Sequence, residues 1–105
     1  MKRGDIRWYR FGQPDKRRPV VVLTRDSIIP HLDEVTVAPV TSTVRDIPSE
    51  VLLDTTDGMP KSCAVNCDHL QTVAKVKIGS RITSLSSVRL RELRAAVEFA
   101  LALNG

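Results

Sequence analysis

The sequence predicts a mainly β fold finished by one C-terminal helix. Three observations carry that reading. Short runs rich in β-branched and aromatic residues recur up to Ile78, each bounded by Gly, Pro or Asp. Within those runs the apolar residues either alternate or run on continuously. Helical spacing of apolar residues appears only after Leu85. Several short strands followed by a terminal helix fit a small barrel or a half-open antiparallel sheet. The helix then has to bury its apolar stripe on that sheet or on a second copy of the chain. With 105 residues the chain is expected to form one domain over 1–105, and 42% hydrophobic against 27% charged residues argues against disorder.

In chain order, Gly4 to Phe11 reads as a strand with Ile6, Trp8 and Arg10 on one face and Arg7, Tyr9 and Phe11 on the other. Gly12 to Arg18 is polar, carries Gly and Pro, and reads as a loop. Pro19 to Thr24 is a continuous apolar run opened by Pro, suited to a strand buried on both faces. Arg25 to Asp33 is a loop. Glu34 to Thr41 alternates as a strand, with Pro39 marking a bulge or an edge position. Ser42 to Pro48 is a polar loop, Ser49 to Leu53 a strand, and Asp54 to Lys61 a turn-rich connection. Ser62 to Leu70 and Gln71 to Ile78 complete the strands. Ser86 is a good N-cap, with Leu85 and Leu90 placed as a hydrophobic staple. Leu90, Leu93, Val97, Ala100, Leu101 and Asn104 form one helix face, and Gly105 stands where a C-cap glycine is favoured.

The net charge is +4, and eight of the 16 basic residues fall in residues 1–25, against Asp5 and Asp15 there. Such a bias suits an anionic partner, nucleic acid above all, and equally a solvated surface. The N-terminus is charged from Lys2 and lacks an apolar signal core, and no run approaches the ~18 apolar residues that span a membrane. A cytosolic protein without membrane contact is expected. Cys63 and Cys67 on one extended strand would lie roughly 13 Å apart, beyond the about 7 Å between Cα atoms that a disulfide allows. Their even spacing puts them on one face, which suits core packing. A zinc site would have to recruit His69 and His31 at irregular spacing, so no metal is expected.

A Gly-rich phosphate loop, Gly-x-Ser-x-Gly, His-Glu-x-x-His and paired Cys-x-x-Cys are all missing. RNA cleavage by an internal 2′-hydroxyl needs none of these, and no cofactor. It needs one group to take the 2′ proton, one to protonate the leaving 5′ oxygen, and positive charge on the phosphorane. The fork of N–H donors on arginine matches phosphate oxygens, and a Thr or Ser hydroxyl can add a neutral hydrogen bond. Two places offer these groups: Lys16-Arg17-Arg18 before the Pro19 strand, and Thr41-Ser42-Thr43 after the Val40 strand. Spacing alone favours the plainer reading of them as solvated arginines and turn-capping hydroxyls.

The sequence resembles the MazF/PemK family of toxin ribonucleases over nearly its whole length. Lys2-Arg3-Gly4-Asp5-Ile6-Arg7-Trp8 is similar to the family's opening. Arg18-Pro19-Val20-Val21-Val22-Leu23 matches its Arg-Pro and apolar strand. Val37-Ala38-Pro39-Val40-Thr41-Ser42 matches its strand ending in Thr, and Pro48-Ser49-Glu50-Val51 the start of the next. Ser62 to Thr72 resembles the segment that usually ends acidic-Gln-Ile/Val, here Asp68-His69-Leu70. The resemblance implies an SH3-like barrel of the MazF/CcdB type with a C-terminal helix, and a homodimer. It also implies a sequence-specific, metal-independent endoribonuclease leaving 2′,3′-cyclic phosphate and 5′-hydroxyl ends, and so blocking translation and growth. The family's catalytic Arg falls on Arg18 and its catalytic Thr on Thr41. Arg17, Ser42, Arg45, Ser49, Cys63 and His69 fall on positions expected to touch RNA. An antitoxin with an acidic C-terminal segment is the implied protein partner. Three departures bear on the base recognised: a short loop from Gly12 to Arg17, His69 in place of the usual Gln, and Cys63 where a small polar residue can meet RNA.

Two other readings use the same barrel. A gyrase-binding poison of the CcdB type would act through its helix end, but Ala102-Leu103-Asn104-Gly105 lacks the bulky aromatics this requires. A non-catalytic RNA-binding barrel would need stacking platforms, and aromatic residues are only 4% of the chain.

Overall fold

The structure, a computed structural model, describes residues 1–12 and 16–103. Seven strands form one antiparallel sheet: β1 (Asp5–Phe11), β2 (Lys16–Val22), β3 (Glu34–Thr41), β4 (Glu50–Leu53), β5 (Cys63–Asn66), β6 (Gln71–Ala74) and β7 (Ile78–Ser84). Helix α1 (Ser87–Ala100) follows. The order is β4-β5-β3-β2-β1-β7, with β6 also on β3. The sheet is curled but not closed, because β4 and β7 at its two ends do not pair. The expected half-open antiparallel sheet with one terminal helix is what forms.

β3 is the hub. One edge pairs with β2, while the other pairs first with β6 (Glu34–Val37) and then with β5 (Val40 and Thr41). Pro39, read as a bulge or edge signal, falls at the changeover between β6 and β5, where β3 has no partner on that side. A residue without an N–H donor is tolerated there.

The β2 run is buried on both faces, as its composition suggests. Ile6, Val21, Ala38, Val40, Val51, Leu53, Val65 and both cysteines share one core with Leu93 and Ala96 of α1. Val20, Val22, Ile29, Val35, Val37 and Val73 form a second core on the opposite face, flanked by Tyr9 and Phe11. The Tyr9 and Phe11 rings meet edge to face at 4.8 Å.

Four expectations need correction. β2 starts at Lys16, not Pro19, because Lys16, Arg17 and Arg18 pair with Phe11, Arg10 and Tyr9 of β1. Pro19 is thus inside the strand, tolerated because β3 pairing begins only at Val20. Gln71 to Ile78 is not one strand: a 3₁₀ turn at Lys75–Lys77 divides it, and β7 runs on to Ser84. Leu101 is 52% exposed and lies off the buried helix face, where Ala96 takes part instead. The helix ends before the expected glycine. Ala102 adopts φ 54°, its amide donates to the Phe99 carbonyl, and that of Leu103 donates to Glu98, a Schellman closure. Asn104 and Gly105 lie outside the described residues, as do Gln13 to Asp15 of the expected loop.

The start of α1 is as expected: the Ser86 hydroxyl accepts from the Arg89 amide at 3.2 Å. Arg89 also reaches across to Asp57, with Nε at 2.9 Å from Oδ1 and Nη2 at 3.2 Å from Oδ2. That pair ties the helix to the 3₁₀ turn Thr55–Asp57, which is closed by a capping box between Asp54 and Asp57. Gly58 ends the turn at φ 88°, where a Cβ would fall 2.6 Å from Thr83 Oγ1. No helix among the described residues is long and apolar enough to cross a membrane.

Candidate active site

The site forms where β2 and β3 part. Their pairing stops at Val20 opposite Pro39. Continuing that register by two residues sets Arg18 opposite Thr41 on one face, since strand parity repeats every second residue. Beyond the last pair a cavity of about 420 Å³ opens. Arg18 and Thr41 both line it, with Trp8, Arg17, Ser42 and Lys61 around them and Val40, Met59 and Cys63 among its apolar walls.

The electrostatics are one-sided. Arg17, Arg18 and Lys61 meet at this cavity, and no carboxylate is among its described lining residues. Among the described residues Arg18 has neither a hydrogen-bond nor an ion-pair partner for its guanidinium, and it is exposed. Arg17 Cζ lies 4.4 Å from the centroid of the Trp8 ring. Thr41 Oγ1 accepts a hydrogen bond from the Thr43 amide at 3.1 Å, which fixes the hydroxyl and leaves its own proton to donate outward.

The remaining expected contact residues separate into groups. Ser42 lines the cavity from its exposed rim. Cys63 forms part of the wall at 5% exposure, and burial first, then Asp57 and Asp54, push its thiol pKa up. Arg45 is exposed on the 42–48 loop but does not line the cavity. Its amide and that of Asp46 donate to Glu50 Oε1 at 3.0 and 2.9 Å, which anchors the loop. His69 lines a neighbouring cavity of about 280 Å³ with Lys16, Gln71 and, again, Arg18. His69 Nδ1 faces Asn66 Nδ2 at 3.3 Å. Ser49 is not brought to the surface. It is 2% exposed and its hydroxyl donates to Asp68 Oδ2 at 2.5 Å, so it braces the turn that carries His69.

Trp8, Met59, Pro60 and Lys61 are site residues that sequence reasoning did not single out. Trp8 shares a face with Arg17 only through the β1–β2 register, and Lys61 arrives on a turn far along the chain. A lone cation after Gly58-Met59-Pro60 carries no local signal. Among the described residues no three of His, Cys, Asp and Glu are grouped to hold a metal ion.

Comparison with known proteins agrees with this fold. A family model described as PemK-like, MazF-like toxin of type II toxin-antitoxin system matches residues 2–101. The chain is 39% identical over 100 residues to a probable endoribonuclease, MazF5, of Mycobacterium tuberculosis, covering 94% of this chain and 91% of that protein. It is 39% identical over 92 residues to the endoribonuclease MazF3 of the same organism, covering 88% and 89%. The solved structure of Mycobacterium tuberculosis toxin MazF-mt6 superposes with a TM-score of 0.87 at 37% identity, covering 96% of this chain and 99% of that one. The fold also matches a mycobacterial endoribonuclease solved with its cognate antitoxin, with a TM-score of 0.89 at 22% identity over the whole of this chain and 98% of that one. With a matched family over 2–101 and relatives at 39% identity, the chain belongs to the PemK-like, MazF-like family of toxins of type II toxin-antitoxin systems.

Proposed function

We propose that this chain is an endoribonuclease that cuts single-stranded RNA at the cavity between β2 and β3, without a metal ion. One observation carries the reading: Arg18 and Thr41 line one basic cavity, with the Arg18 guanidinium unpaired among the described residues. A scissile phosphate seated there meets a fork of N–H donors from Arg18 and the outward proton of the Thr41 hydroxyl. The 2′-hydroxyl attacks phosphorus, the bond to the 5′ oxygen breaks, and a 2′,3′-cyclic phosphate and a 5′-hydroxyl result. Two negative charges build on the equatorial oxygens of the phosphorane. Arg18 offsets them and Thr41 fixes their direction, which is electrostatic stabilisation by preorganised donors. The proton released by the 2′-hydroxyl passes to water, and the leaving 5′ oxygen takes a proton from the Arg18 guanidinium, which water then replaces. Ser42, Arg45 and His69 border the path of the strand, with Cys63 on the cavity wall.

A homodimer would cover apolar surface that the single chain leaves exposed. Phe99, Leu101 and Leu103 are 53%, 52% and 67% exposed at the end of α1, a patch that a second copy would cover. An acidic antitoxin segment would lie against the basic face, and cutting of transcripts would arrest translation and growth in the cytoplasm.

The test is an RNA digest in EDTA with both ends of the fragments mapped. Cyclic phosphate and 5′-hydroxyl ends are expected, lost in Arg18→Ala and in Thr41→Ala while both variants keep the wild-type Tm. Undiminished cutting in both variants would sink the site, and gyrase inhibition with RNA left intact would replace the reading by that of a poison.

A further inference from the structure

A third, smaller cavity of about 220 Å³ lies beside Trp8 and Arg17, toward β7. Trp8 and Arg17 line both this cavity and the one that holds Arg18 and Thr41, so the two are neighbours that share this pair as a wall. Its remaining wall includes Arg10, Lys77, Gly79 and Ser80, and no carboxylate is among its described lining residues.

The sheet is built to leave this space open. β1–β7 pairing shifts register on both sides of Arg7, passing from Arg7 opposite Arg81 to Tyr9 opposite Ile78. Trp8 sits in the second shift, a bulge-like break of the kind that re-aims a side chain beside functional sites. Gly79 faces it, and a Cβ there would lie 3.2 Å from the Trp8 carbonyl oxygen and 3.5 Å from Trp8 Cβ. The absence of a side chain at 79 lets β7 approach the tryptophan closely. The cavity is smaller than the roughly 300–1,000 Å³ of drug-sized pockets, a size for one ring system rather than a length of strand.

We propose that this cavity is a nucleotide subsite: it takes the RNA residue adjoining the scissile phosphate, with the base stacked on the Trp8–Arg17 pair and a flanking phosphate on Lys77. The proposal rests on the ribonuclease reading for its direction, since it extends a strand already seated between Arg18 and Thr41. Stacking of unpaired bases on aromatic rings or guanidinium planes is the general mode for single-stranded RNA. Trp8 holds Arg17 over its ring, so the outer face of that guanidinium is presented ready-made. Arg17 and Lys77, with no carboxylate among the described lining residues, favour the polyanion.

Trp8 is the only tryptophan, and its emission reports the wall shared by the two cavities, so Lys77, which lines only the smaller one, tells them apart. The probe is a fluorescently labelled single-stranded 2′-O-methyl oligoribonucleotide pool, which cannot be cut, with polyglutamate in a parallel arm. Binding seen by anisotropy should quench Trp8 in a saturable way. Lys77→Gln should weaken binding about threefold to tenfold and lower the salt slope by about 0.7, the value of one single-strand phosphate contact. On cleavable RNA the same variant should raise KM with kcat within about twofold, as expected when uniform binding is lost. Oligonucleotide binding with Trp8 emission and the Lys77→Gln salt slope both unchanged would overturn the subsite, even with RNA cutting intact. Quenching by polyglutamate but not by RNA would assign the cavity to an acidic protein segment and overturn the proposal too. Quenching by RNA together with the lowered Lys77→Gln salt slope, in a protein that never cuts RNA, would uphold the subsite and defeat the ribonuclease reading, so the two can fail separately.

Discussion

Arg18 and Arg89 are the same side chain put to opposite uses. Arg89 donates to Asp57 from two nitrogens and to Glu92 from a third, and its pKa is raised further above the usual range by these carboxylates. Arg18 lies at the parted end of β2 with no such partner among the described residues, beside Arg17 and Lys61. A paired cation in this fold fixes one element to another. An unpaired cation in a cavity free of acid groups keeps its donors for something that arrives from outside. The difference predicts a clean separation between activity and stability, and each substitution below tests one side of it.

The largest effect belongs to Arg18→Ala. Loss of one preorganised donor to a developing oxyanion costs on the order of 10²–10³ in kcat, while the exposed side chain supports no contact the fold needs. Activity on RNA should fall by that factor with Tm within about 1 °C of wild type, a surface substitution contributing little. A parallel fall in Tm would erase the distinction between the two arginines.

Arg89→Ala is the mirror experiment. It leaves Asp57 without its charged donors, a loss of about 1–2 kcal/mol when a partly exposed, doubly bonded pair is discounted for solvent. A loss of that size should lower Tm by several degrees in a domain of about 100 residues. kcat per folded molecule should stay within about twofold of wild type, since Arg89 is not among the residues lining the cavity. A large fall in kcat at unchanged Tm would place Arg89 in the machinery.

The sequence separates the two regions only in part, for a physical reason. β3, β4 and the Ser86 cap are written in local pattern, because parity and capping act over a few residues; β5, expected over Ser62 to Leu70, ends at Asn66, and Cys67 reaches the core it shares with Cys63 from the turn beyond. The first half of β2 is not. Lys16, Arg17 and Arg18 have loop-like composition and become strand because β1 supplies their partners. β7 escaped because Gly79 and Ser80 carry no alternation and its pairing with β1 shifts register. Arg18 and Thr41 were singled out through family resemblance, whereas spacing alone favoured solvated arginines and turn-capping hydroxyls. Lys61 and Trp8 were legible through neither, since Trp8 joins the site by the β1–β2 register and Lys61 on a turn far along the chain. Pairing of Arg89 with Asp57 spans 32 residues and has no helix-period signature.

Acid should expose the paired region first. Asp57 is held below the usual 3.8, chiefly by its hydrogen bonds from Arg89, against burial and with help from the Asp54 amide. At Asp5, burial acts to raise the pKa, but the Ser84 hydroxyl, the Lys2 amide and nearby positive charge outweigh it and leave it lowered. A carboxylate depressed in the folded state binds its proton more tightly once unfolded. It therefore adds stability above the unfolded value and loses it as pH falls through the folded one. Tm should be level near neutrality and drop below about pH 4. The drop should be shallower in Arg89→Ala, where Asp57 has lost the main cause of its shift, and unaltered in Arg18→Ala. Identical acid limbs in all three proteins would show that the Arg89 pair does not govern this transition.

The smallest effect separates the two thiols. Cys67 is 1% exposed, and burial, with Asp68 second, pushes its pKa up to about 11. Cys63 is also shifted up, but it stands in the cavity wall beside Lys61. The thiolate is the reactive form, so both should label slowly at pH 8 in the folded protein. Cys63 should nevertheless react first, since the cavity gives a reagent a way in, and Cys67 only on unfolding. A bound 2′-O-methyl oligonucleotide should slow the first phase and leave the second alone, and Cys63→Ser should remove the first phase altogether. Protection of both thiols to the same degree would mean that RNA tightens the whole fold rather than filling this cavity, and would blur the boundary between the region that binds and the region that braces.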